Sequence, residues 1–182
     1  MVNINKLKLT ILQQEILRLL FIKLGESLNQ RRIANLLDVS PPAVMKALPK
    51  LEKLNLITIQ QDKESKRWSI QLNRDNNKSL QLKRVDNLKL MYESGLVDYL
   101  EEEFAGGTII LFGSYSKGED TINSDIDLAI IERKDKLVHI EKFEKVLGRE
   151  INLNFYDSWK KIHEHLRNNI LNGIVLVGSI EL

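Results

Sequence analysis

The sequence predicts an α+β chain built from two modules, and three observations carry that expectation. Charge divides the chain: residues 1–78 hold 14 Lys and Arg against 7 Asp and Glu, whereas residues 79–182 hold 13 against 18. Apolar residues recur at helical spacing three times up to Leu54, then alternate as strand residues do as far as Leu72. Beyond Gly107, strand-like runs are separated by helical ones, with glycine and paired aspartates at the junctions. The expected division is a basic module over 1–75, a connector helix over 76–93 and an acidic module over 94–182.

Composition narrows the class. At 182 residues the chain is one large domain or two small ones, with 43% hydrophobic and 29% charged residues. That balance excludes a disordered tail or a low-complexity stalk. With no cysteine there is no disulfide, no thiolate zinc site and no cysteine nucleophile. The longest apolar runs, such as Ile109 to Phe112, fall far short of the ~20 residues of a spanning helix. Met1 to Thr10 has no apolar signal core. The expectation is a soluble, cytoplasmic protein with no membrane partner.

In the basic module, Thr10 to Leu24 places Ile11, Leu12, Ile16, Leu19 and Leu20 at helical spacing, with Gly25 as the stop. A second helix is expected over Asn29 to Leu37, with Ile33, Leu36 and Leu37 on one face. Ser40 then reads as an N-cap with Pro41 at the first helical position, where a missing N–H costs nothing. The third helix runs to Leu54 on Val44, Leu48 and Leu51, and Pro49 inside it predicts a kink. Leu56 to Ile59 and Arg67 to Leu72 read as strands around a polar tip.

Three helices followed by a polar-tipped hairpin resemble a winged helix-turn-helix domain, over roughly residues 8–74. The resemblance rests on Asn29 to Ile57, with Val39-Ser40 in the turn and Leu51 to Ile57 at the exit. It implies that the third helix meets DNA through Lys46, Lys50 and Lys53, and the wing through Lys63, Lys66 and Arg67. Lysines supply phosphate attraction more readily than base reading, so little sequence specificity is expected. The other reading is a protein–protein or dimerisation module with a solvated basic face.

Asn73 to Asn77 marks the boundary. Leu82, Val85, Leu88 and Met91 suggest a helix over Ser79 to Glu93, and residues around Met91 a homodimer contact. Ser94 is read as the cap of a helix from Gly95 to Phe104. Glu101 to Glu103 forms its solvated face.

The chemistry lies between Gly107 and Ile131. Thr108 to Phe112 is an apolar strand that ends in Gly113-Ser114 and turns into a short helix stopping near Gly118. Backbone N–H groups and a hydroxyl at such a turn suit phosphate, and glycine lets it approach closely. Asp125 and Asp127 are two apart on an expected strand from Asp125 to Ile131, so both carboxylates share a face. They repel each other unless a hard cation such as Mg²⁺, or Mn²⁺, lies between them. Gly113-Ser114, ten residues, then Asp125-Ile126-Asp127 resembles the DNA polymerase β-like nucleotidyltransferase superfamily, in particular its minimal members. The flanks agree, with Ser124 and Leu128 around the aspartates.

That likeness implies a mixed-sheet nucleotidyltransferase fold over roughly 94–180, binding ATP or another nucleoside triphosphate through Gly113, Ser114 and Lys117. It implies a metal on Asp125 and Asp127. The family's third carboxylate falls in the context Ile151-Asn152-Leu153, so here it is Asn152, which brings no charge and cannot act as a base. Glu150 lies on the same strand face, one pleat away. Two functions follow. One is an enzyme that transfers AMP to a hydroxyl of a protein or other acceptor, as antitoxins among the relatives do to a HEPN-type toxin. The other is a DNA-binding regulator whose impaired transferase domain senses nucleotide.

Further along, a helix is expected over Leu137 to Leu147, a strand over Glu150 to Tyr156, a helix from Ser158 to Asn172 and a last strand over Ile174 to Val177. His163 and His165 are two apart on that helix and His139 is alone, so none is read as a metal ligand.

Overall fold

A computed structural model describes residues 7–61, 63 and 68–181, and the chain divides into two compact units, residues 1–79 and 80–182. In the first, α1 (Ile11–Ile22) starts in a capping box. Thr10 accepts from the Gln13 amide at 3.3 Å, and the Gln13 side chain accepts from the Thr10 amide at 3.0 Å. Its buried face is Ile16, Leu17, Leu20 and Phe21; Ile11, expected on that face, is exposed. Gln13 is buried too and donates to the Ala47 carbonyl at 3.1 Å, a polar tie that apolar periodicity does not register. α2 (Gln30–Leu36) is capped by Asn29 and buries Ile33 and Ala34, leaving Leu36 half exposed.

α3 (Pro41–Lys53) begins at Ser40, whose hydroxyl accepts from Ala43 N–H, and buries Val44, Ala47, Leu48 and Leu51. Helix continues through Pro49. Pro49 and Met45 are both exposed, so water can take the place of the amide missing from that turn. β1 (Ile57–Gln61) and β2 (Trp68–Leu72) form an antiparallel hairpin in register Ile57 to Leu72 and Gln61 to Trp68. Leu28, between α1 and α2, bridges Ile70 with hydrogen bonds in both directions. Three helices backed by a hairpin, with a third extended segment on its edge, make this unit a winged helix. Arg67, expected to open the second strand, lies outside the described residues.

α4 (Asn77–Glu93) starts two residues before the expected position. α5 (Leu96–Glu103) follows. Gly95, at φ 74°, is the cap residue of α5, while the Ser94 hydroxyl sits one step back and accepts from Leu96 N–H at 3.3 Å. Then come β3 (Thr108–Phe112), α6 (Gly113–Lys117), β4 (Ile126–Ile131), α7 (Glu141–Leu147), β5 (Ile151–Tyr156), a single 3₁₀ turn at Trp159–Lys161, α8 (Glu164–Leu171) and β6 (Ile174–Val177). Three expectations need correction. Asp125 precedes its strand. α7 starts at Glu141 because Leu137 is 90% exposed and contributes no packing. Ser158 opens only the 3₁₀ turn, and α8 begins after His163, so the expected single helix is broken in two.

The sheet order is β5-β4-β3-β6, with β3 antiparallel to both neighbours and β4 parallel to β5. Both faces are covered. Ile109, Leu111, Leu128 and Ile130 pack against Met91, Leu96, Leu100 and Phe143 on one side, and Ile110, Phe112, Ala129 and Ile131 against Trp159, Ile162 and Ile170 on the other. Met91 itself is fully buried in the first of these cores, while Val85 and Tyr92 near it on α4 are exposed. Among the described residues no helix is long and apolar enough to cross a membrane.

Candidate active site

The site forms where β3, β4 and β5 lie side by side. The antiparallel register sets Asp127 opposite Phe112, the residue before Gly113, and the parallel register sets Asp127 beside Asn152. Alternation then puts Asp127 and Asn152 on one face of the sheet, and Asp125 joins them from just outside the strand. Asn152 Nδ2 donates to Asp125 Oδ2 and to Asp127 Oδ1, both at 3.3 Å. The three residues named from sequence are therefore one cluster. Asp125 and Asn152 are exposed and Asp127 is half-buried. Glu150, exposed just before β5, forms no hydrogen bond or ion pair with either aspartate. Asn154, on the same face, donates to the Leu128 and Asn152 carbonyls at 3.3 Å instead.

Gly113 and Ser114 open α6 directly against this cluster, and no side chain caps the turn. Gly113 has φ 73°, and a β-carbon there would lie 2.7 Å from Asp127 Oδ2. The glycine serves two ends at once: it allows the left-handed backbone, and it leaves room for the carboxylate. Gly113→Ala is therefore expected to displace Asp127 and cut Mn²⁺ affinity at the cluster by at least about tenfold, read by titration against an electron paramagnetic resonance signal. Ser116 donates to the Gly113 carbonyl at 2.8 Å and closes the turn. Gly118, at φ 75°, ends it. Lys117 is exposed at the last position of α6, away from any ion pair among the described residues. In the loop before Asp125, Ser124 Oγ accepts from Thr121 N–H at 2.9 Å.

Among the described residues no group of three or more carboxylate, histidine or cysteine side chains gathers as a metal site. Asp125 and Asp127 offer carboxylate oxygens of the kind hard divalent cations take, and the Asn152 amide, whose nitrogen faces them here, would have to turn over to add its oxygen. Two adjacent carboxylates, one of them given room by a glycine whose β-carbon would collide with it, fit such an ion by their chemistry. On the same face, Tyr156 carries a phenol pushed above its ordinary range, first by burial and then by the Asp127 charge.

Sequence reasoning missed a second group in this unit. Ser79, Lys83, Asn87 and Met91 form the buried stripe of α4, at intervals of four, whereas Val85 is 65% exposed. Lys83 Nζ meets Asp120 Oδ1 at 2.7 Å, and both side chains are almost wholly buried. A search for apolar periodicity passes over a stripe that is mostly polar; the signal that could have found it is the spacing of four itself.

In the winged helix, Lys46 and Lys53 are exposed on α3, and Lys63 is exposed at the hairpin tip. Lys50 is half-buried and donates to the Lys8 carbonyl, so it presents less free charge than expected. Lys66 and Arg67 lie outside the described residues. Arg31 and Arg32, exposed on α2, add basic groups that the focus on α3 passed over; Arg32 also pairs with Glu26 at 3.4 Å.

Residues 93–180 match the family model described as "Nucleotidyltransferase domain". No curated protein matches the chain. Among solved structures the chain is similar to the adhesin competence repressor AdcR from Streptococcus pyogenes, with 22% identity over 57% of this chain and 72% of that one, at a TM-score of 0.43. It is similar as well to MepR, a transcription regulator of the Staphylococcus aureus multidrug efflux pump MepA, with 28% identity over 53% and 69% of the two chains, at a TM-score of 0.41. Scores this low add nothing to the winged-helix geometry, which stands on its own elements.

Proposed function

We propose, from the premise that residues 93–180 are a nucleotidyltransferase domain, that this chain transfers a nucleoside monophosphate, AMP from ATP, to a hydroxyl of a protein acceptor. The observation that carries the reading is the convergence of Asp125, Asp127 and Asn152 beside the Gly113-Ser114 turn. Asp125 and Asp127 would hold Mg²⁺ or Mn²⁺, with the Asn152 oxygen as a neutral third donor. Held there, such an ion would supply charge screening and polarisation of the α-phosphoryl oxygens. The uncapped amides of α6 and the Ser114 hydroxyl hold the triphosphate tail. The acceptor oxygen bonds to the α-phosphorus, the bridge to the β-phosphate breaks, and pyrophosphate leaves. An amide cannot take the hydroxyl proton, so that proton passes to water, and the rate lacks the roughly 10²–10⁴-fold that a positioned base contributes.

The test is incubation of the purified chain with α-labelled ATP, Mg²⁺ and host lysate. Label on a protein band supports the reading, and its absence under all conditions sinks it. Asn152→Asp is expected to raise transfer by about 10²-fold or more, measured as initial rate of label incorporation.

A second reading has its own observation. Asn152 brings no charge or base to the two aspartates and only donates a hydrogen bond to each, as suits a domain that binds nucleotide without turning it over, joined to a winged helix whose exposed Lys46, Lys53, Lys63, Arg31 and Arg32 meet DNA phosphates. On that reading the logarithm of the DNA association constant falls linearly with the logarithm of salt concentration, at a slope of about −0.9 per phosphate neutralised. A fluorescence anisotropy titration that finds no binding even at low salt removes it.

A further inference from the structure

Beneath the site lies a buried ionic cluster that neither motif predicts. Asp120 is its centre, in the loop between α6 and β4. Oδ1 accepts from Lys83 at 2.7 Å and from Asn87 Nδ2 at 2.7 Å, and Oδ2 faces Arg149 Nη2 at 3.7 Å. Asn87 Nδ2 also donates to the Tyr115 carbonyl at 2.9 Å, and Asn87 Oδ1 accepts from Lys83 at 3.3 Å. Lys83, Asn87, Asp120 and Arg149 are all buried. Backbone contact is equally close: a β-carbon at Gly118 would lie 2.5 Å from the Leu80 carbonyl oxygen.

The chain positions of these groups give the cluster its meaning. Tyr115 is the residue after Ser114. Asp120 precedes Asp125 by five residues, and Arg149 precedes Asn152 by three. Two of the three segments that bring a side chain to the site are thus tied, a few residues away, to Lys83 and Asn87 on α4, and the third meets the same Asp120 through Arg149. A buried ion cluster is a weak source of net stability, because apolar groups of similar shape often do as well or better. What it supplies is directional: Asn87 Nδ2 bridges Asp120 and the Tyr115 carbonyl, and Lys83 bridges Asp120 and Asn87, so each contact fixes the others. Catalytic groups lose rate steeply when displaced by about 1 Å.

We propose that Lys83, Asn87 and Asp120 are positioning residues that fix the α6–β4 loop, and with it the spacing between the Gly113-Ser114 turn and the Asp125/Asp127 carboxylates. The proposal rests on the nucleotidyltransferase reading for its purpose, though not for its test. Amide hydrogen exchange over residues 113–127 reads loop order whatever the domain catalyses.

The full chain is compared with Lys83→Met/Asp120→Leu, an apolar exchange that keeps the helix and sheet packed, and with Lys83→Met/Asp120→Asn, which keeps the acceptor for Asn87. The expected result has three parts. The Leu variant melts cooperatively, exchanges residues 113–127 at least tenfold faster than wild type, and leaves β3 and β5 protected. Its affinity for Mn²⁺ as probe falls about 10–100-fold, the usual loss when an outer-shell partner is removed. The Asn variant restores both to within threefold. A folded Leu variant with wild-type exchange over 113–127 overturns the proposal. If the Leu variant does not fold, the Asn variant decides: unchanged exchange with Asn87→Leu added also overturns it, and faster exchange supports it. Wild-type chain that takes up no Mn²⁺ defeats the nucleotidyltransferase reading, while the exchange result still decides this one.

Discussion

Asp127→Asn is expected to lower label transfer from α-labelled ATP by about 10²–10⁴-fold while leaving the melting temperature unchanged or slightly raised. Asp127 is the residue on which the site's two registers meet: it faces Phe112 on one side and Asn152 on the other. The amide has the shape of the carboxylate, so it keeps contact with the Gly113 turn. It removes one of the two charges that make the cluster attractive to a cation, and Asp125 alone with two amides is a poor divalent site. Stability moves the other way. Two carboxylates that share one amide donor repel each other, and neutralising one of them relieves that repulsion. Initial rates and a thermal melt on the same preparation check both halves. A variant that melts early would mean that the lost rate is only lost fold.

Asp120→Ala is expected to destabilise the second unit by about 3–5 kcal/mol, measured by urea unfolding, because it strands the Lys83 ammonium in the interior. Lys83→Ala should cost less, since Asp120 keeps Asn87 and the Arg149 guanidinium. The pH dependence has a definite sign. Burial pushes the Lys83 ammonium below its ordinary value of 10.5, with Asp120 pulling it back up. The unfolded chain therefore holds this proton to higher pH than the folded one. Stability linked to Lys83 rises with pH across the window below 10.5. Removing Asp120 widens that window, so the deficit of Asp120→Ala shrinks as the solution is made more alkaline.

The two examples differ in how visible they were. Asp127 was legible because its chemistry sits in a fixed spacing from Gly113-Ser114, and because strand alternation alone assigns both aspartates a shared direction. The strands themselves were legible for the same reason: Thr108 to Phe112 is apolar without a break, being buried on both faces. Asp120 was not legible. Its partners lie 37 and 29 residues away, on a helix and a strand entry. Lys83 looks like any solvated lysine until the fold buries it. α4 misled in the same way, since its apolar residues in steps of three mark a line that drifts around the helix, while the buried line runs in steps of four through Ser79 and Lys83. The break before α8 and the late start of α7 were hidden because caps there use no side chain: neither Ile140 nor His163 makes a capping hydrogen bond.

The Asn152 amide has a consequence for the aspartate pair when no cation is present. An aspartate at 152 would set a third carboxylate beside Asp125 and Asp127 with no donor among them, and the added repulsion would cost stability unless a cation relieved it. The asparagine instead lets the unloaded site close on itself, each carboxylate answered by the same nitrogen. Asn152→Asp reverses this: its melting temperature should drop in chelator and recover when Mg²⁺ is restored, whereas the wild-type melt stays nearly the same in both. On the proposed reading, transfer rate and stability without metal pull against each other at a single side chain.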